Sequence, residues 1–140
     1  MKRVVGLWID HRKAVIVALV GEGKQVMLTM RSRVEPHTRF TAGARSKTPH
    51  LSMEVSAEDQ RDRRFARQLI TFYDEVISHL REAEAILVFG PGEAKRELEM
   101  RLESKGLGRR IIGVEAVDKM TDRQIAAKVR QCFLEQSRST

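Results

Sequence analysis

Apolar residues open the chain in two unbroken runs. Val4-Val5-Gly6-Leu7-Trp8-Ile9 is the first and Ala14 to Val20 the second, parted by Asp10-His11-Arg12-Lys13. Short, β-branched runs bounded by a polar break read as a hairpin. Neither run alternates, so both strands are expected to be covered on two faces. Gly21-Glu22-Gly23 is a second turn. Lys24 to Arg31 then places Val26, Leu28 and Met30 at period two, which predicts a third, half-exposed strand near a sheet edge.

Residues 32–55 carry no periodicity and hold Pro36, Gly43 and Pro49 among many Ser and Thr, which reads as one long, flexible, basic loop. A helix is expected after Ser56, whose hydroxyl suits an N-cap. Phe65, Leu69, Phe72, Val76 and Leu80 form its apolar face, flanked by Tyr73, and Arg63, Arg64 and Arg67 fall opposite. Ala85 to Phe89 is a short buried strand. Gly90-Pro91-Gly92 ends it and opens a second helix, with Ala94, Leu98 and Leu102 turned inward. Gly106 and Gly108 stop that helix. Ile111 to Val117 is a fifth strand, and Thr121 with Gln124 makes a capping box. Ile125, Val129, Cys132 and Phe133 give the last helix its buried face, and the tail from Ser137 is expected to fray.

The order β-β-β-α-β-α-β-α predicts one domain over residues 1–140. An antiparallel meander followed by two strand–helix units makes an α/β fold with a five-stranded mixed sheet and helices on its faces. Right-handed crossovers place the fourth and fifth strands beside the first. That is the architecture of ribonuclease-H-like folds.

Composition agrees. Hydrophobic residues make up 41% of 140, enough for a core and too many for a disordered chain. No apolar run nears the roughly 20 residues of a membrane span. Lys2 and Arg3 precede an apolar stretch, but no cleavage site follows, so a cytoplasmic protein away from membranes is expected. The single cysteine, Cys132, leaves no internal disulfide and no cysteine zinc cage.

Charge changes the picture more. Lys and Arg number 26 against 19 Asp and Glu, a net +7, which suits polyanionic partners. The excess is local: Arg31, Arg33, Arg39, Arg45 and Lys47 stand with Glu35 as the one acid between Arg31 and Met53. Arg61, Arg63, Arg64 and Arg67 follow, diluted by Asp59 and Asp62. Cations clustered beside a loop suit phosphate-backbone binding, and Phe40 offers a stacking surface.

Three other constellations compete. Asp10, at the end of the first strand, stands where a metal-dependent nuclease keeps a carboxylate. Two-metal chemistry needs several converging acids, and the fourth strand, Ala-Ile-Leu-Val-Phe-Gly, supplies none. Turns favour aspartate in any case. Gly90, Gly92 and Lys95 sit at a strand-to-helix turn whose backbone amides are able to hold an anion. The P-loop spacing is missing, however, and a tight turn explains the glycines equally. His11, His37, His50 and His79 share no metal-ligand spacing, and no Gly-x-Ser-x-Gly elbow occurs. Trp8 reads as core.

Two stretches carry a family resemblance. Val-Val-Gly-Leu-Trp-Ile-Asp-His-Arg-Lys-Ala-Val-Ile-Val from Val4, a basic loop, then Ile-Leu-Val-Phe-Gly-Pro-Gly-Glu-Ala-Lys-Arg-Glu-Leu from Ile86 together resemble the central domain of the archaeo-eukaryotic release factor and Pelota family. Gly-Pro-Gly-x-x-Lys at Gly90 to Lys95 is the most specific piece, and Val117-Asp118 with the helix after it also fits. The chain is similar as well to small bacterial relatives of translation machinery. The resemblance spans nearly the whole chain and implies a ribonuclease-H-like fold and work on the ribosome. Release factors carry Gly-Gly-Gln in the loop after the third strand. Here that loop reads Arg-Phe-Thr-Ala-Gly-Ala-Arg-Ser-Lys-Thr-Pro-His from Arg39, without the tripeptide, so no catalytic residue carries over. Pelota lacks the tripeptide too.

The expectation is a non-catalytic, RNA-binding or ribosome-associated protein, with rRNA or tRNA as partner and no cofactor or metal. Its contact residues are Arg31, Arg33, Arg39, Arg45, Lys47, Arg63, Arg64 and Arg67. The alternatives are a metal-dependent nuclease using Asp10, a divergent peptidyl-tRNA hydrolase using the loop, and a homodimeric or protein-interaction module pairing through the third strand or the loop.

Overall fold

Five strands and three helices form in the expected order in the structure, a computed structural model that describes residues 3–21, 24–33 and 51–139, with side chains from 59 to 134 in the last stretch. The strands are β1 (Arg3–Ile9), β2 (Lys13–Val20), β3 (Gln25–Arg31), β4 (Ala85–Gly90) and β5 (Ile111–Ala116). The helices are α1 (Leu51–Ser78), α2 (Ala94–Ser104) and α3 (Asp122–Ser139), and one 3-10 turn, Gly108–Arg110, precedes β5. The sheet order is β3-β2-β1-β4-β5, antiparallel on the meander side and parallel from β1 through β4 to β5. The crossover rule places β4 beside β1 as expected, and β5 lies beyond β4 rather than against β1.

The unbroken apolar runs are explained by two covering layers. Val5, Leu7, Ile9, Ile16, Ile86 and Val88 pack on one face beneath Leu69, Phe72 and Val76 of α1, Leu80 just past its end, and Leu98 and Leu102 of α2. Trp8, Val15, Val17, Leu87 and Phe89 pack on the other beneath Ile125, Val129 and Phe133 of α3. Helix α3 lies close to the sheet: a Cβ at Gly6 would stand 2.4 Å from Val129 Cγ2. Trp8 is 1% exposed, and its indole N–H donates to the Asp118 carbonyl at 3.2 Å, so the ring is core.

Three expectations shift. Helix α1 begins at Leu51 rather than after Ser56. Leu-Ser-Met-Glu-Val has no Gly or Pro, and Leu, Met and Glu favour a helix even where no apolar stripe marks one. The rest of the expected loop, residues 34–50, lies outside the described residues. Strand β3 differs from the half-exposed strand its alternation predicts: Val26 is 57% exposed and Met27 and Leu28 are 37% each, and only Met30 reaches the α1/α2 core. Cys132 is half-buried rather than buried. Among the described residues, no helix is long and apolar enough to cross a membrane.

Candidate nucleic-acid interface

The end of β3 is pinned to the β1–β2 turn. Ser32 N donates to the Arg12 carbonyl at 2.8 Å, and the Ser32 hydroxyl donates to the His11 carbonyl at 2.6 Å. The flanking Arg31 and Arg33 thereby line a cleft of about 150 Å³ whose far wall is Gln68, Thr71 and Glu75 of α1, over Phe72. Arg64 and Arg67 lie one turn before Gln68 and Thr71 on the same helix, which carries the cationic surface on from the cleft. Arg63 lies beside them. All three are exposed, as are Arg31 and Arg33.

None of these five guanidinium groups pairs with an acid among the described residues, and Glu75 is the acid that lines the cleft. Some other cations are neutralised locally. Arg101 grips Asp74 through two bonds of 2.8 and 3.0 Å, Lys128 meets Glu115 at 2.8 Å, and Arg3 meets Glu82 at 3.0 Å. The Arg101 hydrogen bonds hold the Asp74 carboxyl below its ordinary range. Positive charge on the β3–α1 side is thus available to an outside anion. Of the sequence-predicted residues, Arg31 and Arg33 line the cleft, and Arg63, Arg64 and Arg67 are exposed on the stretch of α1 that leads to it. Arg39, Arg45 and Lys47 lie outside the described residues.

A polar cluster lies at the same end of the sheet. Glu97 Oε1 accepts from the Tyr73 hydroxyl at 2.6 Å and lies 3.0 Å from His11 Nε2. The His11 ring meets Phe65 edge-on at 6.0 Å. Burial first, then the Glu97 hydrogen bond, pushes the Tyr73 phenol far above its ordinary value, so it stays protonated. The cluster ties the β1–β2 turn to α1 and α2. Its members are 24 and 86 residues apart along the chain, so no spacing announces them.

Two other candidate groups are engaged within the fold. Asp10 Oδ1 accepts from both Arg12 N and Lys13 N at 2.8 Å, so the carboxylate closes the hairpin. Among the described residues, no group of three His, Cys, Asp or Glu is placed to hold a metal ion. At the Gly-Pro-Gly turn, Lys95 is 8% exposed, and its ammonium donates to the Gly92 carbonyl. The lysine offered as an anion ligand is folded inward and clamps the turn. Gly90 is required by close approach, because a Cβ there would stand 2.1 Å from the Ile9 carbonyl oxygen.

An order of β3-β2-β1-β4-β5, with helices on both faces, defines an α/β domain of ribonuclease-H-like architecture. Its fold is similar to that of Pelota from Archaeoglobus fulgidus, with a TM-score of 0.53 and 16% identity over 92% of this chain and 31% of that one. Pelota from Thermoplasma acidophilum aligns with a TM-score of 0.48 and 17% identity over 86% of this chain and 29% of its own. The archaeal translation termination factor aRF1 aligns at 0.44 and 15%, over 96% of this chain and 40% of its own. The chain is a Pelota-like domain in fold, and it spans about a third of the length of the Pelota proteins it matches. No protein-family model matches the chain, and no curated protein matches it in sequence.

Proposed function

We propose that this domain binds RNA, as a ribosome-associated factor without a catalytic centre of its own. The observation that carries the reading is the set of guanidinium groups with no acid partner among the described residues, Arg31 and Arg33 at the end of β3 and Arg63, Arg64 and Arg67 along α1. A phosphate backbone laid along this face meets several cations and releases their counterions, so affinity falls steeply with salt. The cleft between the two rows takes an extruded nucleotide or sugar, with Gln68 and Thr71 as polar contacts. The resemblance of the chain to the release factor and Pelota family, together with the Pelota-like fold, supports the ribosome as the particle in question.

The test is fluorescence anisotropy with tRNA and with rRNA fragments across a salt series, alongside cosedimentation with ribosomes. Replacing Arg63, Arg64 and Arg67 with Ala should flatten the log–log salt slope by roughly 0.7 to 0.9 for each phosphate no longer neutralised. A slope unchanged by the triple substitution would overturn the assignment of this face. Salt-insensitive binding would overturn the mode of recognition.

A further inference from the structure

Strand β3 ends the sheet and pairs only with β2 among the described residues. Edge strands in monomers are usually blunted by a proline, a bulge or an inward charge. Gln-Val-Met-Leu-Thr-Met-Arg has no proline or inward charge, and it pairs with β2 in unbroken register from Lys13↔Arg31 to Leu19↔Gln25. Its two faces differ. Val26, Leu28 and Met30 stand beside Ala18, Ile16 and Ala14 on the α1/α2 side, and Val26 and Leu28 remain exposed there. The other face is cationic at both ends. Arg31 stands directly across from Lys13, whose ammonium lies 5.6 Å from the centre of the Trp8 ring. At the far end, Arg130 of α3 reaches over to the Gln25 side-chain oxygen at 2.6 Å.

Like charges directly opposite in a sheet destabilise it, and no described acid relieves Lys13 and Arg31. A second copy of this chain would be a poor occupant. Antiparallel pairing of all seven residues centres on Leu28 and sets each Arg31 against the other copy's Gln25, beside its Arg130. An acidic strand reverses that sign.

We propose that the β3 edge docks an extended peptide of a partner protein, which adds a sixth strand. Its apolar side chains lie over Val26, Leu28 and Met30. Acidic side chains at its two ends meet Arg31 with Lys13, and Arg130. Backbone hydrogen bonds supply the affinity, while the alternation and the terminal acids supply the choice of partner. This surface shares Arg31 with the RNA-binding reading, while Val26, Leu28, Met30 and Arg130 lie outside it.

The experiment uses the full chain and an acetylated, amidated heptapeptide, Glu-Val-Thr-Val-Thr-Val-Glu. Titration followed by amide NMR should move β3 resonances and slow exchange of its outward amides. Affinity should fall roughly tenfold when both Glu are replaced with Lys, given the worth of exposed cross-strand charge pairs. It should fall at least as far for the double variant Val26→Lys and Leu28→Lys, whose circular dichroism and melting temperature, close to those of wild type, certify its fold. Oligo-glutamate binding as tightly as the heptapeptide would overturn the proposal in favour of bare charge. So would shifts confined to other surfaces. A dimer in sedimentation equilibrium that the double variant dissociates would identify a second copy as the occupant instead. RNA affinity is read separately, so neither idea falls with the other.

Discussion

Two glycines in one turn answer to different physics. A Cβ on Gly90 meets the Ile9 carbonyl at 2.1 Å, while a Cβ on Gly92 meets nothing within 4 Å and faces only the strain of φ +67°. Gly90→Ala should therefore cost at least about 2 kcal/mol, because rigid backbone must move, and Gly92→Ala about 1 kcal/mol. Urea denaturation of the two variants checks the order, and equal losses would mean that β1 and β4 yield more readily than their pairing suggests. Tyr73 sets a pH limit on the same neighbourhood. In the unfolded chain its phenol ionises near pH 10, whereas in the folded chain burial and Glu97 keep it protonated well beyond that. Its folded value is raised, so the stabilisation is complete below about pH 10 and is lost as the pH climbs above it. Wild-type stability should drop more steeply between pH 9 and 11, roughly, than that of Tyr73→Phe, which has no proton to lose. Parallel pH profiles would place that phenol in water in the folded chain.

Among the elements, those with strong local signals are the legible ones. Thr121 and Gln124 make the capping box in both directions: the Thr121 hydroxyl accepts from Gln124 N at 3.1 Å, and the Gln124 side chain accepts from Thr121 N at 2.8 Å. Thr121→Ala should lower stability by about 1 kcal/mol in thermal unfolding, and Thr121→Ser should restore most of it. Strands β1, β2 and β4 are legible because buried strands are written as unbroken apolar runs between turn residues. The start of α1 is not, since Leu51 to Val55 lack an apolar stripe and only propensity marks them as helical. The openness of β3 is hidden for another reason. Alternation tells which residues share a face, but whether a helix reaches that face depends on where the sheet ends. The candidate site divides in the same way. Its cations are dense enough along the chain to be seen, whereas the Glu97 hub joining His11 and Tyr73 arises only from the crossover that brings α2 over the end of β1.

For the molecule as a whole, a net +7 opposes compaction, and the arginines along β3 and α1 with no acid partner among the described residues add to that repulsion. Salt then acts in two ways. Chloride screens the repulsion without occupying a site, and it weakens RNA binding in the same concentration range. An anion shaped like the RNA backbone does more, because binding to the folded state alone stabilises it by RT ln(1 + [L]/Kd). Phosphate should therefore raise the melting temperature above that in chloride at equal ionic strength. At ten times its dissociation constant the gain is about 1.4 kcal/mol, or roughly 3 to 5 °C for a domain of this size. Phosphate also strengthens apolar burial by exclusion from the surface, and that part is common to any variant of the same fold. The difference between wild type and the chain with Arg63, Arg64 and Arg67 replaced by Ala isolates the site. The variant should keep the general salt effect and lose the phosphate increment, along with the RNA salt slope. A phosphate increment of equal size in both proteins would assign the excess charge to solubility alone and remove the β3–α1 face as the place where an RNA backbone lies.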